Sequence, residues 1–153
     1  MHEQTGAIIT DEMRDMIRRV RLAFVATVGS DGRPNLSPRG SLKVLDSTTL
    51  IYADIQSPQT TRNVEINPNV EINVVDPFRR RGFRFRGTAM VSEDVSLVAF
   101  AGADLGADYP VRHAVVIKVD CAVPVRSPVY SFTDATEEQI IETWTDFYCG
   151  GGR

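Results

Sequence analysis

At 153 residues, with 42% hydrophobic and 24% charged side chains, the chain can bury one proper core beneath a polar surface. A net charge of −3 and a pI near 5.4 argue against broad, nonspecific nucleic-acid binding. No apolar run approaches the roughly 20 residues that cross a bilayer, and no charged-then-apolar leader opens the chain. The expectation is therefore one cytoplasmic domain, 1–153, with neither membrane nor nucleic acid as partner.

Metal and disulfide chemistry find little support. Cys121 and Cys149 have neither the spacing of a zinc site nor the count of a disulfide framework. His2 and His113 are too few for a metal cluster.

Residues 1–9 read as a loose lead-in. Thr10-Asp11-Glu12 opens a helix with a capping residue and two acids in its first turn. Ile9, Met13, Met16, Ile17 and Val20 follow helical spacing, which leaves Arg14, Asp15, Arg18 and Arg19 as a solvated face. The run 22–28 is apolar, β-branched and aromatic, and predicts a strand. Ser30-Asp31-Gly32 is a hairpin turn signal. One second strand is expected over 34–44. It would carry Leu36, Gly40, Leu42 and Val44 on one side and Ser37, Arg39, Ser41 and Lys43 on the other. That polar side must face water or a polar ligand.

Asp46-Ser47-Thr48 turns the chain into a third strand, 50–54. Beyond it lies SPQTTRNVEINP, residues 57–68, which predicts a helix over 58–66. Unpaired N–H groups and a partial positive charge at a helix start make a seat for phosphate. Ser57 and Thr60 offer hydroxyls there, and Arg62 offers charge. A fourth strand is expected over 70–75, broken by Asp76-Pro77 and followed by a basic turn, Arg79-Arg80-Arg81-Gly82. The fifth strand, 83–92, sets Phe83, Phe85, Ala89 and Val91 against Arg84, Arg86, Thr88 and Met90. Residues 93–105 begin as a helix and loosen, and 112–119 form the sixth strand, where His113 has no expected chemistry. Pro124 and Pro128 predict an irregular segment. A last helix carries Ile140, Ile141, Trp144 and Phe147 before 149–153 fray. Six strands at hairpin spacing with peripheral helices predict a mainly β (α+β) domain, a small antiparallel β-barrel.

Three segments in succession, GRPNLSPRGSLKVLD, TLIYADIQSPQTTRNVEINPNVEINVVDP and RGFRFRGTA, carry a family likeness. Over about residues 10–120 the chain resembles the pyridoxamine 5′-phosphate oxidase-like family of FMN-binding split β-barrels. The resemblance implies a six-stranded split barrel and a homodimer with FMN in clefts at the interface. It implies that Arg39, Gly40, Ser41 and Leu42 run along the flavin, with Tyr52 and Ala53 on the adjacent strand. Ser57, Gln59, Thr60 and Arg62 would form the phosphate nest, and Arg84 would reach the flavin from the partner subunit.

The chain departs from that pattern twice. Gln59 stands at or next to a place where family members often carry lysine, and the ending FYCGGGR shows no arginine–histidine pair of the kind that grips pyridoxal phosphate. The first weakens the phosphate site unless Arg62 or Arg39 compensates, and the second counts against vitamin B6 oxidation. The expected function is an FMN-dependent oxidoreductase that uses a small molecule or NAD(P)H. The alternatives are a flavin carrier or redox sensor without turnover, and a relative that binds deazaflavin or haem. Haem wants an axial ligand, which His113 in mid-strand supplies poorly.

Overall fold

The computed structural model describes residues 8–150. Helix α1 (Asp11–Val20) starts where the sequence predicts: the Thr10 hydroxyl accepts from Met13 N at 3.3 Å. It lays Met13, Met16 and Ile17 on the barrel and ends at Arg21, whose φ is 52°. Strands β1 (Ala23–Val28) and β2 (Pro34–Arg39) form the expected hairpin. Gly32 takes a φ of 77° in its turn, a conformation that an L side chain adopts only with strain.

The predicted strand 34–44 does not continue. It divides at Gly40–Leu42 into β2 and β3 (Lys43–Asp46), so the sheet has seven strands where six were expected. β4 (Thr49–Asp54) leads to α2 (Pro58–Ile66), β5 (Asn69–Asp76) and β6 (Arg81–Ser92). Then come α3 (Val95–Gly102), β7 (His113–Arg126), α4 (Val129–Phe132) and α5 (Glu137–Cys149). β7 runs through Pro124, where an irregular segment was expected: it keeps pairing with β6 as far as Arg126. The fraying expected over 149–153 does not reach Cys149, which closes α5, while 151–153 lie outside the described residues, as does most of the lead-in.

All pairings are antiparallel, in the order β2-β1-β5-β6-β7-β4-β3. β2 and β3 are therefore the two edges, yet only Gly40, Ser41 and Leu42 separate them in the chain. A flat sheet of seven strands would hold its edges about 29 Å apart. Four Cα steps reach at most about 14 Å. The sheet must curl until its edges nearly meet, which makes an open barrel. A register shift opposite Arg86 and Gly87 leaves Asp120 without a partner in β6 and helps β7 bend.

The core fills this curl. Val25, Leu50, Tyr52, Ile72, Phe85, Val115 and Ile117 are all essentially inaccessible. β4 is buried along its whole length. Its Ile51 and Ala53 pack with Ala101 and Ala114 in a second cluster under α3. Its Leu50 and Tyr52 belong to the main core. A strand covered on both sides reads as a continuous apolar run, and Leu50-Ile51-Tyr52-Ala53 is one.

β2 reverses the usual arrangement. Leu36 and Pro38 point outward, Leu36 with 66% of its surface exposed, while Asn35, Ser37 and Arg39 turn inward and are half-buried. The polar side of the predicted strand is thus half-buried or buried, and part of it bonds within the protein. Ser41 accepts from Ala53 N at 3.0 Å, and Lys43 donates to Phe100 O at 2.8 Å and pairs with Asp104 at 3.0 Å.

Candidate functional site

Arg39 closes β2 and reaches across to the start of α2. Its Nη1 donates to Ser57 Oγ at 2.8 Å and to Pro38 O at 3.1 Å. The guanidinium lies over the Tyr52 ring, 5.0 Å from its centroid. Nε and Nη2 are shut off from solvent with no acceptor among the described residues, and the Tyr52 hydroxyl is in the same position. Burial pushes the Tyr52 hydroxyl up from its ordinary range, with the Arg39 charge pulling the other way. Orphaned donors of this kind are rare and costly. A charged group with three idle N–H bonds on two nitrogens has donors to offer an anion.

The first turn of α2 meets the same space. Ser57 is its N-cap residue but makes no side-chain cap bond, because its hydroxyl is held by Arg39. Pro58 at the first helical position has no N–H to offer. The next N–H groups, of Gln59 and Thr60, have no partner within the helix and carry its partial positive charge.

The eleven residues expected at the site fall into groups. Arg39, Tyr52 and Ser57 converge. Gly40, Ser41 and Leu42 form the link beside them, with Gly40 exposed, Leu42 in the core and Ser41 tied to Ala53. Thr60 is turned inward, only 3% exposed, and accepts from Asn35 Nδ2 at 3.2 Å. Gln59 and Arg62 sit on the exposed side of α2, where Gln59 donates to Asn63 Oδ1 at 2.8 Å and accepts from Arg62 at 3.4 Å. Arg84 lies on the outer side of β6, paired with Glu71 at 3.0 Å and bonded to Asn73 at 3.1 Å.

Two groups of polar residues escaped the sequence reading. Asn35 Nδ2 also donates to Thr27 Oγ1 at 3.2 Å, and Asn63 Nδ2 donates to the same atom at 3.0 Å. This buried lattice pins α2 to β1 and β2 and fixes the angle at which its first turn meets Arg39. Asn35 shares the parity of Ser37 and Arg39, a signal available once that side is taken as inward. The second group lies at the end of β4. Asp54 Oδ2 accepts from Thr61 Oγ1 at 2.9 Å and stands 3.5 Å from His113 Nδ1. Asp54 Oδ1 and His113 Nδ1 are buried without hydrogen-bond partners.

Among the described residues, no three histidine, cysteine or acidic side chains gather closely enough to hold a metal. No described helix is long and apolar enough to cross a membrane.

The fold has counterparts in known proteins. A family model described as pyridoxamine 5′-phosphate oxidase matches residues 9–138. The chain is similar to HupZ of Group A Streptococcus, at 35% identity and a TM-score of 0.71, covering 78% of this chain and 96% of that one. An FMN-binding protein from Syntrophomonas wolfei shares the fold, with a TM-score of 0.67 at 15% identity over 78% of this chain and 87% of its own. The uncharacterized protein MJ0282 of Methanocaldococcus jannaschii is 28% identical over 116 residues, 72% of this chain and 76% of the relative. With the family model spanning most of the barrel, the chain belongs to the pyridoxamine 5′-phosphate oxidase family.

Proposed function

We propose that the chain binds FMN, with the phosphate on Arg39 and the first turn of α2, and acts as an oxidoreductase on a small molecule or with NAD(P)H. The observation that carries this reading is the Arg39 guanidinium, buried over Tyr52 with Nε and Nη2 unpartnered. A flavin phosphate brings nearly two negative charges and several acceptor oxygens, which match two idle charged donors and a helix start. Ser57 holds the guanidinium in place, and the Tyr52 ring backs it in dry surroundings that strengthen each polar contact. Arg39 thereby supplies the charge that Gln59 does not. Exposed Gly40, without a side chain, leaves the peptide groups of the link accessible to a ring. When bound, the flavin supplies the hydride or electron chemistry, and the chain contributes position and charge.

A homodimer completes this reading. Outward-facing Leu36, Phe24 and Leu22 are 66%, 41% and 45% exposed, next to the link at Gly40–Leu42. Apolar surface of this kind at a sheet edge favours a second copy. Flavin fluorescence quenching on titration with FMN tests the binding claim, and anaerobic bleaching by NADPH followed by reoxidation in air tests turnover. Tight binding without bleaching by NADPH or any screened small molecule would leave a carrier or sensor, and no binding would end the proposal.

A further inference from the structure

A second cleft lies between α1 and α3, with the Gly40–Leu42 link in its lining. Its volume is about 430 Å³, within the range of small-molecule sites. Arg14, Arg18 and Arg21 line it, together with Lys43 and Asp104. Arg14 and Arg18, spaced i and i+4, share one side of α1, and Arg21 follows at its C-cap. Lys43 and Asp104 neutralise each other at 3.0 Å. None of the three guanidinium groups has a carboxylate within 4 Å among the described residues.

The solvated face expected for these arginines explains only part of this. Arg18 and Arg21, at the helix C-terminus, complement its partial negative charge. Arg14 stands more than a turn inside the helix, is half-buried, and gains nothing from that end. The Asp104 carboxyl is held below its ordinary range, first by the Lys43 hydrogen bond and charge, with Arg21 adding to the effect. The cleft as a whole is positive in a chain whose net charge is −3. Its other wall is apolar, made by Ile17, Leu42, Phe100 and Leu105.

We infer that this cleft binds a small organic dianion, with a phosphate or paired carboxylate head on the arginines and an apolar body against Leu42 and Phe100. The cleft shares the Gly40–Leu42 link with the proposed flavin seat, but the inference rests on Arg14, Arg18 and Arg21, which the flavin reading does not use.

Calorimetric titration at low salt with phenyl phosphate and with isophthalate tests it, with benzyl alcohol as the neutral control. Wild type is expected to bind at least one of the two anions and not the alcohol, and the preferred anion names the head group. Arg14→Gln combined with Arg18→Gln should weaken that binding roughly tenfold or more. The urea midpoint of this variant should stay close to that of wild type, because the Arg14–Arg18 repulsion removed offsets the helix-end charge lost at Arg18. Arg33→Gln, in the exposed β1–β2 hairpin, should bind as wild type does. The inference is overturned if wild type takes up neither anion at up to ~10 mM, or if the double variant binds as well as wild type. It is also overturned if Arg39→Met, and not the α1 variant, abolishes binding, which would move the anion to the flavin seat.

Discussion

Arg39 shows what a single side chain contributes at this site. Charge-assisted hydrogen bonds are worth about 1.5–3 kcal/mol, so Arg39→Met should weaken FMN binding by roughly ten- to a hundredfold. Ser57→Ala loosens the guanidinium without removing charge, and a loss of roughly threefold to tenfold is expected. If both variants bind FMN as wild type does in a fluorescence titration, the phosphate is elsewhere. Thr60 teaches the complementary lesson. Its hydroxyl has the right chemistry for a phosphate, but Thr60, Asn63 and Val64 are the buried side of α2. With Val64 the one aliphatic residue among those three, apolar spacing could not reveal which side faced in. Asp76 contributes to the pH dependence of the fold. Burial works to raise its carboxyl, but N–H bonds from Arg79 and Phe78 and the Arg79 guanidinium outweigh it and hold the group below its ordinary value. A lowered folded value means full stabilisation above about pH 4, lost as the pH falls through the folded value. Asp76→Asn should therefore flatten the acid limb of a stability–pH curve; an unchanged limb would remove Asp76 from this role.

At the scale of elements, start and stop chemistry was legible and strand continuity was not. Thr10 caps α1 as read, and Thr136 with Gln139 makes a full capping box at α5. The break at Gly40–Leu42 was hidden because alternation persists through 34–44 even though the ladder does not. Alternation records which side a residue faces. It does not record that the two halves pair at opposite edges of the sheet. The orientation of β2 was hidden for a related reason: its inward residues are polar because they meet Thr27, Thr60 and Ser57, which come from other segments. Gly87, like Gly82, marks a close approach of backbones, since a Cβ there would run into the Lys118 carbonyl. Gly87→Ala should cost several kcal/mol, in the exceptional tail of single substitutions. Gly106→Ala, where a Cβ meets only the edge of Tyr109 at ordinary contact distance, should be near neutral. Urea denaturation of the pair checks the contrast, and equal midpoints would mean that the strands part more easily than drawn.

For the whole molecule, the family and the mainly β class were readable because three motifs sit in order along one chain. The curl of the sheet was not, because it follows from the pairing of distant segments. The homodimer is an expectation of this same scale. Leu36→Glu should shift the sedimenting species from twice the 17.0 kDa chain mass toward the single chain, and should lower FMN affinity with it. A monomer holding one FMN per chain would contradict a shared cleft. The most direct measurement is an FMN titration of the apoprotein followed by flavin fluorescence. One FMN per chain, bound at micromolar concentration or tighter and weakened by Arg39→Met, is the result this account predicts. A protein that leaves the flavin free at those concentrations would contradict it.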